Sequence, residues 1–184
     1  ENEFKDIKNL EVIEIQEKTK GQAESAYKLI RSLENSKPVL IHSSDCILDK
    51  KTLIEIKDFD IVVFTKKNYR RGYFNFSNYG WINSINGKIQ SLSIKKKPKS
   101  LDSNIIIGTF LFKNKYVYEE LYHETVENNS NQKEIHIDHL VETGLNKNMN
   151  VLEITSEQSV ILGIPQEYEL FKYMKHVYEY LVNK

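Results

Sequence analysis

Two stretches of this sequence, Pro38 to Asp45 (PVLIHSSD) and Asp60 to Thr65 (DIVVFT), carry apolar residues in succession rather than in alternation. A strand of that kind needs apolar cover on both faces, and helices laid on either side of a largely parallel sheet supply it. The neighbouring text offers those helices. Leu10 to Ile15 (LEVIEI) alternates apolar and charged residues as a half-buried strand does. Thr19 to Glu34 then sets Ala23, Ala26, Tyr27, Ile30 and Leu33 on one helical face, and Leu53 and Ile56 fit a short helix before Asp60. The β-α-β-α-β order predicts an α/β fold, three layers (α/β/α) around a mixed, mostly parallel sheet.

The later elements read differently. Tyr79 to Ser84 and Lys88 to Ile94 flank Asn86-Gly87, the signature of a hairpin closed by a type I′ turn. Asn104 to Phe112 and Val151 to Thr155 read as strands, and Lys115 to Asn128 and Glu134 to Gly144 as helices, the second ended by its glycine. Pro165 suits the first turn of a final helix, along which Leu170, Met174, Val177 and Leu181 form an apolar stripe. Without repeats or a long Gly/Ser/Pro linker, residues 1–184 are expected to form one domain.

Charge and cysteine content narrow the function classes. The 26 basic and 26 acidic side chains cancel, which removes the overall electrostatic footprint of a nucleic-acid binder. One cysteine rules out an internal disulfide framework and a multi-cysteine zinc site, and suits a reducing cytoplasm. No apolar run approaches the roughly 18 residues of a membrane span, so a cytoplasmic protein without a membrane partner is expected.

Several local patterns could carry chemistry. Asp45 follows an apolar strand, at the strand end where open α/β sheets bind ligands, and a carboxylate there either caps the next turn or suits Mg²⁺. Asp49 reads as the N-cap of a helix at Lys50. Thr19 to Ala23 hands a strand over to a helix N-terminus; Gly21 would allow close approach of a ligand, and Gln22 offers donor and acceptor together to a nucleobase edge. Lys95 to Lys99 is either a solvated basic loop or a phosphate clamp. Lys66 to Phe74 mixes cations and aromatics and reads as a substrate loop. His136, Asp138 and His139 lack the further ligand that zinc would require. On an extended strand Cys46 and His42 would lie more than about 10 Å apart, which makes Cys46 a small buried hydrophobe rather than a nucleophile. Gly-x-Ser-x-Gly, Walker A and Gly-x-Gly-x-x-Gly motifs are absent from the sequence.

The order of the pieces says more than any one of them. Lys-Gly-Gln-Ala-Glu-Ser-Ala (20–26), Pro-Val-Leu-Ile-His-Ser-Ser-Asp (38–45), Tyr-Gly-Trp (79–81), Lys-Lys-Pro (96–98), Ile-Ile-Gly-Thr-Phe-Leu-Phe (106–112), Glu-Ile-His-Ile-Asp (134–138) and Gly-Ile-Pro-Gln-Glu-Tyr-Glu (163–169) follow one another. This succession resembles the sugar-phosphate nucleotidyltransferases, or NDP-sugar pyrophosphorylases, of bacterial capsule and surface-polysaccharide pathways. The resemblance implies a Rossmann-like (GT-A-like) nucleotidyltransferase fold. It also implies Mg²⁺-dependent transfer of NMP from an NTP to a phosphorylated acceptor, with release of pyrophosphate.

By that resemblance Gly21 and Gln22 match the nucleotide-binding turn, Asp45 the metal-binding aspartate, and Tyr79 and Gly80 the turn lining the acceptor pocket. Lys97 matches the catalytic lysine at the acceptor phosphate, although Lys96 replaces the family's usual Glu, and Gly108 matches the strand glycine near the sugar. Val160 to Pro165 lacks the second metal-binding Asp often found there, and Asp138 is the substitute. The family's N-terminal Gly-rich triphosphate loop has no counterpart, and the chain opens on Glu1 rather than Met. The expectation is an N-terminally truncated catalytic domain, inactive alone, compatible with homo-oligomerisation. A GT-A glycosyltransferase, for which Asp45-Cys46-Ile47 breaks the usual Asp-x-Asp, and a non-catalytic nucleotide-sensing module are the alternatives.

Overall fold

The computed structural model describes residues 10–33, 36–52, 56–67, 69, 75–85 and 88–182. Helix α1 (Gln22–Ile30) leads into β1 (Val39–His42) and β2 (Cys46–Ile47), with β3 at Ile61–Lys66. The hairpin strands β4 (Gly80–Ile85) and β5 (Lys88–Ile94) come next, and the Asn86-Gly87 turn between them lies outside the described residues. Then follow β6 (Asn104–Phe112), α2 (Lys115–Asn128), α3 (Ile137–Asn146), β7 (Val151–Thr155), β8 (Val160–Ile161) and α4 (Pro165–Val182). The main sheet runs β1-β6-β3-β7-β5-β4, and β4 also pairs with β6, so the pairings form a ring through β6, β3, β7, β5 and β4. Among the described residues its β5–β7 link rests on a single position, Lys88 opposite Leu152. Glu153 on β7 ties this ring together, accepting from Thr65 Oγ1 at 2.7 Å, Asn104 Nδ2 at 2.8 Å and Ser84 Oγ.

The sheet is mixed, as expected, but not mostly parallel. Among the described residues only β3–β7 is parallel in the main sheet. The cause is insertion: β6 runs antiparallel to both β1 and β3 and sits between them. β1 and β3 do point the same way, since both run antiparallel to β6, yet they are not neighbours. Spacing along the chain cannot reveal that a later strand will separate two earlier ones.

Strand β3, with its first five residues buried, has the two-sided cover its composition predicts, whereas β1, at the end of the sheet, buries only Val39 fully. Residues 10–15 form no strand, and Lys50–Thr52 make one 3₁₀ turn that Asp49 caps, its Oδ1 accepting from Lys51 N–H at 3.0 Å. The rest of the expected helix there, 53–55, lies outside the described residues.

One face of the sheet is covered by α1, α2 and α3, whose Ala23, Ala26, Ile30, Tyr118, Leu121, Leu140 and Val141 pack on Ile61, Val63, Phe110 and Phe112. Tyr118 also donates to the Ala23 carbonyl at 2.9 Å, fixing α2 against α1. Gly144 does not end α3: the helix continues to Asn146, and a Cβ there would lie 2.6 Å from Ile61 Cδ1, so the glycine serves close packing on β3. The opposite face centres on Val62, Phe64, Trp81, Ile105 and Ile107. Irregular segments and the small β2–β8 sheet cover it, and no helix contributes to that cluster among the described residues. No helix among them is long and apolar enough to cross a membrane.

Candidate functional site

A cavity of about 170 Å³ opens where β1 ends, and Gln22, Asp45, Tyr79, Gly80, Gly108 and Asp138 all line it. Six of the sequence-predicted site residues therefore meet, although they come from five separate segments of the chain. Gly108 adopts φ +73°, and its carbonyl accepts from Ser43 N–H at 2.9 Å, which draws the turn carrying Asp45 to this end of the sheet.

One wall is built around Asp138 in the first turn of α3. Burial pushes its carboxyl up to about 6, with Lys95 opposing the shift. A Cβ on Gly80 would sit 2.5 Å from Asp138 Oδ2, so β4 leaves room for this carboxylate by carrying no side chain there. Lys95 lines the cavity from a left-handed backbone (φ 51°), its N–H bonded to the Tyr79 carbonyl at 3.1 Å and its Nζ to the Asn78 carbonyl. The start of α3 is closed by its own histidines. His139 Nδ1 accepts from His136 N–H at 3.0 Å, so the lone pair is on Nδ1, and burial holds both imidazoles below the ordinary histidine range.

The other wall joins the Asp45 turn to the start of α4. Leu162 N–H donates to the Asp45 carbonyl at 2.7 Å, β2 pairs with β8, and a Cβ on Gly163 would lie 3.3 Å from Asp45 Oδ2. Buried Glu167 holds this wall together. Its Oε1 accepts from the Tyr79 hydroxyl at 2.7 Å and from the Tyr69 hydroxyl, while Oε2 accepts from Ile164 N–H at 3.2 Å. Burial, reinforced by Glu167, pushes the Tyr79 hydroxyl far above its ordinary value, so it stays a proton donor. Sequence reasoning missed Glu167. The usable signal was Pro165 at the first helical position, which puts Glu167 at the third, where a carboxylate reaches back to the preceding backbone.

Two predicted residues stand apart. Lys97 lines a separate, larger cavity of about 570 Å³ together with Lys96, Glu134, His136 and Glu142; it is Lys95 that borders both cavities. Gly21 does not line the small cavity, although its neighbour Gln22 does. Its φ of +115° and its missing Cβ accommodate the backbone of Ile135, whose carbonyl would lie 2.6 Å from a Cβ. Of the Lys66–Phe74 loop, positions 68 and 70–74 lie outside the described residues.

The expected separation of Cys46 and His42 does not hold. The chain turns at 43–45 instead of continuing as a strand, and Cys46 Sγ lies 3.7 Å from His42 Nδ1. Burial first, and Asp45 in addition, still push the thiol up, so it remains a buried thiol rather than a thiolate.

Among the described residues no group of three or more His, Cys, Asp or Glu side chains could enclose a metal ion. What this cavity offers is two carboxylates, one of them desolvated and offset only by Lys95. Hard oxygen donors in such small number fit Mg²⁺, which keeps waters and takes further oxygens from substrate phosphates.

No protein-family profile and no curated protein sequence matches the chain. Solved structures do. The nucleoside-diphosphate-sugar pyrophosphorylase from Vibrio cholerae aligns with a TM-score of 0.66 at 18% identity, covering 85% of this chain and 66% of that one. The inositol-1-phosphate CTP transferase from T. maritima aligns at 0.63 and 16% identity, covering 80% of this chain and 58% of that one. The CTP:phosphocholine cytidylyltransferase from Streptococcus pneumoniae aligns at 0.57 and 14% identity, covering 84% and 63%. The chain thus has a mixed α/β fold resembling nucleotidyltransferases, and it spans 58–66% of the length of these neighbours.

Proposed function

We propose that this chain carries the metal and acceptor side of a nucleotidyltransferase site. In the proposed reaction an oxygen of the acceptor's phosphate attacks the α-phosphorus of an NTP, and the bond to the α–β bridging oxygen breaks. That oxygen keeps the electron pair and leaves as pyrophosphate. The observation that carries this reading is the meeting of Asp45, Asp138, Gln22, Tyr79, Gly80 and Gly108 in one cavity.

Asp45 and Asp138 would hold Mg²⁺, which when bound supplies charge neutralisation at the phosphates. Gln22, beside the glycine turn of Gly21, faces the base with one donor and one acceptor. Gly80 and Gly108 give the acceptor access to the backbone, and Tyr79 contributes its cavity wall. Lys95 borders the cleft and Lys97 the adjoining cavity, so cations follow the acceptor phosphate from one into the other. Such transfer needs positioning and charge more than a covalent group, which agrees with a buried, hydrogen-bonded thiol at Cys46. The reading extends to a cytoplasmic enzyme that activates a sugar or related metabolite for a surface polysaccharide, with no nucleic-acid or membrane partner.

The test is pyrophosphate release from each common NTP with sugar 1-phosphates, inositol 1-phosphate and phosphocholine, in Mg²⁺ and in EDTA. It is run on the longest natural product of the gene and on the 184-residue chain. One NTP–acceptor pair should support Mg²⁺-dependent release, and Asp45→Ala should lower it by about 100-fold or more with the fold intact. If no pair supports release in the longest product, the proposal fails.

A further inference from the structure

Helix α4 is 18 residues long, about 27 Å, yet Glu167 is its one buried residue. Beyond the first turns its apolar side chains face outward: Tyr173 is 64% exposed, Met174 57%, Tyr178 66% and Leu181 66%. An isolated helix of this length is marginal in water, and so broad an apolar face is normally covered.

The pattern of the face indicates what covers it. Reversing the helix about the midpoint between Lys175 and His176 places Leu170 on Leu181, Phe171 on Tyr180, Tyr173 on Tyr178 and Met174 on Val177. Polar positions fall on polar ones in the same operation, Lys172 on Glu179 and Lys175 on His176. A two-fold axis perpendicular to the helix performs that reversal, and self-complementary surfaces are what isologous dimers require. The 4-3-4 spacing of Leu170, Met174, Val177 and Leu181 is the seam of a helix pair, with aromatic residues on both flanks.

We infer that α4 pairs antiparallel with α4 of a second copy of this chain. With roughly 100 Å² left on each of its five exposed large side chains, Tyr173, Met174, Tyr178, Tyr180 and Leu181, the face offers about 500 Å² per partner, the lower end of the range for specific interfaces and the size of a concentration-dependent dimer. The helix's outer side does not attract an anionic lipid surface, because Lys172 pairs with Glu169 at 2.9 Å and Lys175 with Glu179 at 3.8 Å. Since α4 starts at the turn that Glu167 fixes, the dimer also anchors the Asp45 wall of the cleft.

Sedimentation equilibrium of the 184-residue chain across micromolar concentrations should show a concentration-dependent species of twice 21.6 kDa. Tyr178→Lys should return it to a monomer with an unchanged circular dichroism spectrum. The double variant Met174→Cys/Val177→Cys should cross-link under copper–phenanthroline oxidation, while neither single variant does. Three results would overturn the inference: a 21.6 kDa species at every concentration, an unaltered mass in Tyr178→Lys, or cross-linking by a single-cysteine variant. Binding of a monomer to phospholipid vesicles that Tyr178→Lys abolishes would assign the face to a membrane instead and equally overturn it.

Discussion

The two walls of the cleft carry one carboxylate each and hold it in opposite ways. Asp138 is buried in the first turn of a helix that is itself part of the main core, packed on one side so closely against Gly80 that no Cβ would fit there. Asp45 is exposed on a turn between two short strands and is held by main-chain bonds to the 160–164 segment, which Glu167 and its two tyrosines brace. The first wall bears the cost of desolvating a charge and is fixed in advance. The second keeps its charge in water and depends on a small network for its position. In the proposed metal site this would make Asp138 the rigid ligand and Asp45 the adjustable one, a suitable division where substrate must enter before the metal shell is complete.

The largest expected effect breaks the rigid wall. Gly21→Ala adds a Cβ 2.6 Å from the Ile135 carbonyl at a φ of +115°, and should cost about 3–4 kcal/mol in urea unfolding, displacing the start of α3. A loss below about 1 kcal/mol would show that this wall is softer than its packing implies.

A second measurement sharpens the contrast through pH. The Asp138 carboxyl is raised from 3.8 to about 6, so the folded protein binds this proton more tightly than the unfolded chain. Its burden on stability therefore grows as pH rises from about 4 to about 6 and is complete above that. In EDTA at pH 8, Asp138→Asn should be more stable than wild type by up to about 3 kcal/mol, and the gap should close toward pH 4. A gap independent of pH would contradict the buried charge.

The smallest effect belongs to the adjustable wall. Glu167→Gln replaces an acceptor shared by two hydroxyls and should lower stability by about 1–2 kcal/mol, accompanied by faster hydrogen exchange at 162–164. Unchanged exchange there would deny Glu167 its bracing role.

What the sequence reveals of this molecule follows the range of the interactions involved. Helix α2, strand β6 and strand β7 fall where local pattern puts them, because propensity, capping at Asn114 and apolar succession agree within each segment. The place of Asp45 beside the cavity is legible too, since the end of an apolar strand is a local feature. The insertion of β6 between β1 and β3 is set by contacts some 40 to 70 residues apart along the chain and leaves no local trace. That Lys95, and not Lys97, borders the smaller cavity has a similar origin. A left-handed residue at 95 turns the lysine run, and nothing in Lys-Lys-Lys-Pro marks which lysine will face the cleft. Likewise Cys46 meets His42 because the chain bends at 43–45, where Gly108 on a distant strand captures Ser43.

The account rests on both carboxylates serving one cation, and electron paramagnetic resonance with Mn²⁺ in place of Mg²⁺ tests that most directly. Titrated in the presence of a nucleoside triphosphate, wild type should bind one Mn²⁺ in the cleft. Asp45→Asn and Asp138→Asn should each weaken that binding by about tenfold or more. Unchanged Mn²⁺ affinity in either variant would separate that carboxylate from the metal and contradict the shared site.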